Sequence, residues 1–100
     1  MNMQALMKQA QNMQRDINNI KTEIDNTVFE GKSSLVTVSV MGDKSIKSVK
    51  ISPEAKDVLA DDITMLEDMI LVALNDALSK VDKETEEKMG KYSNMMPGLM

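Results

Sequence analysis

The chain has 100 residues, a net charge of −4, eleven methionines, one phenylalanine and one tyrosine, with no tryptophan, cysteine or histidine. That length supports one domain at most, and a core so poor in aromatic volume points to a partner subunit that completes it. Without cysteine or histidine there is no disulfide, no Cys/His zinc site and no histidine acid–base chemistry, so neither an enzyme nor a bound metal or cofactor is expected.

Residues 2–25 are expected to form one helix. Met3, Leu6, Ala10, Met13, Ile17, Ile20 and Ile24 recur at alternating spacings of three and four, the seam that packs one helix along another. At about 1.5 Å per residue that helix would be roughly 36 Å long. Thr27–Glu30, Leu35–Met41 and Ser45–Ile51 then read as strands, rich in Val, Ile, Thr and Ser. Gly31-Lys32-Ser33 and Gly42-Asp43-Lys44 read as their connections, with Gly42 able to take positive φ. Val36, Val38 and Val40 fall on one face of an antiparallel meander.

Ser52-Pro53 reads as a helix start, with serine as N-cap and proline first, for a short helix reaching about Leu59. Asp61-Asp62 would cap a longer one, from Ile63 to about Met89, with Gly90 as its C-cap. Its buried stripe is expected to be Leu66, Met69, Ile70, Ala73, Ala77 and Val81, with Leu74 and Leu78 beside it. Asn75-Asp76, close to that stripe, suits a satisfied polar network at a dimer contact or a helix-to-helix hydrogen bond. A single domain over 1–92 and a flexible tail over 93–100 complete the division.

The resulting class is α+β, in the order α-β-β-β-α-α. Strands of about 23 Å cannot cover a last helix of about 40 Å. Both long helices should therefore overhang the sheet as arms, while its open edges and spare face suit a second copy. The N-terminus lacks an apolar core of signal-peptide type, and no run approaches the roughly 18 apolar residues of a membrane span. A soluble cytoplasmic protein with no membrane partner and no small-molecule substrate is expected.

Charge is unevenly spread. Residues 1–25 balance to zero and residues 26–52 carry +2, whereas residues 61–91 carry −5. The outward positions of the first helix hold Gln4, Ala5, Lys8, Gln11, Asn12, Arg15, Asn18, Asn19 and Thr22, with no acid among them. Amides can bond base edges or phosphates while Lys8 and Arg15 supply charge. A solvated, amide-rich surface is the plain alternative. On the last helix Lys80, Lys83, Lys88 and Lys91 are candidate phosphate contacts. They are equally suited to ion pairs with Glu84 and Glu87 three or four residues away. Lys44, Lys47 and Lys50 cluster on the second hairpin, where lysine also protects a sheet edge.

Several strings, in order, carry a family resemblance. They are Leu6-Met7-Lys8-Gln9-Ala10-Gln11 with Met13-Gln14, Val36-Thr37-Val38 leading to Gly42, Val49-Lys50-Ile51-Ser52-Pro53, Met65-Leu66-Glu67-Asp68, Asn75-Asp76-Ala77 and the Met-Pro-Gly tail. Together they resemble the YbaB/EbfC family of nucleoid-associated proteins over nearly the whole chain. The resemblance implies a homodimer whose sheets form the core and whose terminal helices project as tweezer-like arms onto DNA in the nucleoid. The implied DNA-contacting residues are Lys8, Gln11, Asn12, Arg15, Asn18 and Asn19 on the first helix and Lys80, Lys83, Lys88 and Lys91 on the last. A homodimeric protein-interaction scaffold without direct DNA contact is the alternative, suggested by the acidic segment and the methionine-rich seam.

Overall fold

A computed structural model describes residues 2–58 and 61–93. The elements run α1 (Met3–Asp25), β1 (Val28–Ser33), β2 (Val36–Met41), β3 (Ile46–Ile51), α2 (Ala55–Val58) and α3 (Ile63–Ser93). Asn2 opens α1, its Oδ1 accepting from the Gln4 amide at 3.0 Å, which satisfies one of the free donors of the first turn. Asp62 opens α3 in the same way, its Oδ1 accepting from the Met65 amide at 2.9 Å. The sheet order is β1-β2-β3 and both pairings are antiparallel.

Four local expectations are corrected. Gly31-Lys32-Ser33 belongs to β1, and the first hairpin turns on Ser34-Leu35, with Ser33 opposite Val36 and Ser34 at φ 49°. Glycine at position 31 answers the approach of α3 instead: a Cβ there would press on the Ala73 carbonyl oxygen and the Ala77 amide nitrogen. In the second hairpin the positive φ falls on Lys44, at 73°. Gly42 is needed because a Cβ there would collide with the carbonyl of Ile24 at the end of α1.

The short helix starts later than Ser52-Pro53 suggests. Pro53 and Glu54 form a turn closed by Ala55 N to Ser52 O at 2.9 Å and Lys56 N to Pro53 O at 3.2 Å, and α2 is only Ala55–Val58. Leu59, expected in that helix, lies outside the described residues, as do residues 94–100 of the expected tail, whose first residue, Ser93, belongs to α3. Gly90 does not end α3, which continues to Ser93. Burial of Met89 against Ile17 anchors that turn and offsets the roughly 1 kcal/mol that glycine costs inside a helix.

The core has two parts. Val36, Val38 and Val40 of β2 are fully buried against Ala73, Ala77 and Val81 of α3, with Phe29, Leu66, Met69, Ile70, Leu74 and Leu78 packed around them. The expected stripe of the last helix is thus its packed face. Small residues at 31, 73 and 77 let the helix backbone lie directly on β1. A second, smaller cluster joins Ile17 of α1 to Met89 of α3, with Met13 and Ile20 beside them.

The seam of α1 is therefore used only along its C-terminal half: Ile17 and Ile24 are buried, while Met3 and Leu6 stay 70% and 43% exposed. Residues 2–12 are all exposed. The chain is a rod of 71 × 20 × 14 Å, and the N-terminal half of its first helix packs on nothing among the described residues.

Candidate nucleic-acid interface

Every outward residue of α1 from Gln4 to Thr22 is exposed, including Lys8, Gln11, Asn12, Arg15, Asn18 and Asn19. Burial of Ile17 and Ile24 fixes which way this surface points along the C-terminal half of α1, whereas Lys8, Gln11 and Asn12 stand on a segment exposed all round. Two contacts organise its polar groups. Arg15 Nη2 donates to Asn12 Oδ1 at 3.1 Å, and Gln14 Nε2 donates to Asn18 Oδ1 at 3.2 Å. The Arg15 guanidinium has five donors, so the Asn12 contact leaves it free to meet a phosphate. The lysine nearest the sheet end of α1, Lys21, is paired with Asp25 at 3.0 Å.

The lysines of α3 divide. Lys80 is committed within the protomer: its Nζ donates to the Glu30 carbonyl at 2.7 Å and lies 3.5 Å from Asp76. Asp76 in turn accepts from the Lys32 amide at 3.1 Å. Asp76 and Lys80 therefore occupy one outward donor and one outward acceptor of the β1 edge, which disfavours further strand pairing there. Asp76 thus bonds a strand of the sheet, which differs from a contact between helices. Lys83 and Lys88 are exposed, and Lys83 stands beside Phe29, Glu84 and Glu87 around a shallow recess. Lys91 lies on the last turn of α3, its side chain outside what is described.

The hairpin at the base of α1 holds a further polar cluster. Asp43 accepts from both the hydroxyl and the amide of Ser45, and those bonds hold its carboxyl below the ordinary carboxylate range. Lys44 pairs with Asp82 of α3 at 3.3 Å. Both groups of that pair are well exposed, so its contribution to stability is small. Among the described residues no cluster of acids is placed to hold a metal ion, and no helix is long and apolar enough to cross a membrane.

An α+β chain with a three-stranded antiparallel sheet, an exposed amide-and-base surface on α1 and two long terminal helices defines the class: a small sheet-and-helix protein. Residues 1–96 match the YbaB/EbfC DNA-binding family, and the chain belongs to that family. A nucleoid-associated protein of Ligilactobacillus salivarius is 46% identical over 99% of this chain and 95% of its own length. One from Lactococcus lactis subsp. cremoris is 46% identical over 97% of this chain and 98% of its own. The crystal structure of uncharacterized protein HP0035 from Helicobacter pylori superposes with a TM-score of 0.67, covering 95% of this chain and 97% of that one at 23% identity. That likeness is one of fold.

Proposed function

We propose that this protein binds duplex DNA as a homodimer in the bacterial nucleoid, using α1 as the principal contact and the free lysines of α3 as auxiliaries. The observation that carries the reading is the outward face of α1, wholly exposed and without an acid from Gln4 to Thr22 apart from Asp16 at its flank. Family membership and the names of the relatives point the same way. With a single arginine in the chain, recognition rests on the phosphate backbone and amide contacts, because bidentate arginine is the commonest reader of guanine. Binding is accordingly sequence-tolerant and steeply salt-dependent.

The second copy is supported by surface left unfinished in one protomer. The β1 edge is partly engaged by Asp76 and Lys80, β3 is the opposite edge of the sheet, and α3 lies over β1 and β2. Val49 and Ile51 of β3 remain 47% and 44% exposed on the same face as the buried valines of β2. They adjoin an apolar groove lined by Ile51, Pro53, Ala55, Ile63 and Leu66. A two-fold copy placed there would continue the core across the interface.

The test is titration of labelled duplex DNA at two salt concentrations, with wild type and with Lys8→Ala combined with Arg15→Ala. Wild type should bind more weakly at the higher salt, and the double variant should lose about tenfold or more in affinity while keeping its mass in solution. Absence of wild-type binding even at low salt would reject the reading. Unchanged affinity in the double variant would clear α1 of the role.

A further inference from the structure

We propose that the open face of the sheet, opposite α3, is a second contact surface for the phosphodiester backbone of duplex DNA, with Lys32 and Lys50 as its cationic groups. The proposal rests on the DNA-binding reading above and adds a surface distinct from the helical arms.

Strand alternation assigns the residues. Val36, Val38 and Val40 face α3, so Thr37 and Ser39 face the other way. The register sets Lys32 and Lys50 on either side of Thr37, and Glu30 and Ser48 on either side of Ser39. Directly opposed residues share a face, so two lysines about 10 Å apart flank a floor of short hydroxyl side chains. Threonine and serine are short enough to let a backbone approach, and their hydroxyls are ordinary phosphate partners.

The cations here are also unspent. Lys32 and Lys50 are exposed, and neither ammonium is among the ion pairs or side-chain hydrogen bonds that engage Lys21, Lys44 and Lys80. Lys47, the extra residue at the irregularity in the β2–β3 pairing, is exposed and likewise outside those pairs. Glu30 is the one acid among these face residues, and against Lys32 and Lys50 it leaves them a net charge of +1. Charge is segregated by layer. The α3 layer carries seven acids against four lysines, whereas the strands and their hairpins carry four lysines against Glu30 and Asp43. At the hub, where α3 covers the other side of the sheet, the strand side is therefore the more favourable approach for a polyanion.

The full chain carrying Lys32→Gln and Lys50→Gln is titrated with duplex DNA over a salt series, beside wild type and the Lys8/Arg15 variant. Each lost phosphate contact should flatten the slope of log affinity against log salt by about 0.9, so the slope becomes shallower by about 2 per engaged protomer. Lys32→Arg with Lys50→Arg should keep the wild-type slope. Because the chain has no cysteine, Lys50→Cys carrying a photoactivated thiol label gives a second readout, and it should crosslink to the duplex. A wild type that binds, with neither a slope change in the glutamine variant nor a crosslink at 50, overturns this proposal and leaves the arms standing. A wild type that does not bind overturns both.

Discussion

Gly31→Ala tests the packing that places α3 on the sheet. A methyl at 31 would sit inside contact distance of the Ala73 oxygen and the Ala77 nitrogen and 2.9 Å from Ala77 Cβ. Restoring an ordinary carbon–carbon separation to Ala77 alone requires a shift of roughly 0.6 Å. The obstructing atoms are helix backbone, which cannot rotate away, so α3 must lift from β1 and loosen its contact with Val36, Val38 and Val40. Overpacking of a tight core costs about 1–3 kcal/mol, and a backbone obstacle puts this case near 3 kcal/mol. For a domain of this size that lowers the melting temperature by roughly 12–24 °C. Gly90→Ala is the internal control. A Cβ there meets nothing within 4 Å, so exchanging glycine for alanine inside a helix should stabilise by about 0.5–1 kcal/mol. Thermal unfolding followed by circular dichroism, at one fixed protomer concentration, reads both. A Gly31→Ala protein melting within about 4 °C of wild type would mean that α3 does not ride on β1 at this distance.

Two further outcomes are expected. Val49→Glu with Ile51→Glu should leave the protomer folded, since both residues are already half exposed in it. The pair should weaken self-association by about a hundredfold or more, because carboxylates would be buried unpaired at the joint. Sedimentation across a concentration series reads this, and an unchanged dimer would move the interface elsewhere. Asp43 should titrate below 3.8 in an NMR pH series and return toward that value in Ser45→Ala, which removes the hydroxyl donor. Because the folded state favours the carboxylate, this contribution to stability is present above the unfolded pKa and is lost as pH falls through the lower folded value. An Asp43 midpoint that ignores Ser45 would dismiss the hydroxyl as its cause.

The candidate contact surface was largely legible from periodicity. The stripe of Ile17, Ile20 and Ile24 identified the buried side of α1, and hence the amide-and-base side opposite it. The same logic found Ala73, Ala77 and Val81. Lys80 was less legible. Its spacing from Glu84 suggested a partner on its own helix, yet the short contact is with the carbonyl of Glu30, fifty residues away. Asp76 likewise turned out to guard a strand edge. No local pattern announces a bond across that separation.

Composition and spacing determined the element order, the apolar side of each helix and strand, and the overhang of long helices beyond a short sheet, because periodicity and rise per residue are local properties. Tertiary structure alone decided why glycine stands at 31 and 42. At both positions another element's backbone occupies the space of a side chain, and such proximity exists only after distant segments meet. It also decided which lysines are spent on internal pairs and which, at 32 and 50, remain side by side across Thr37, since strand register brings together residues that the chain keeps eighteen apart.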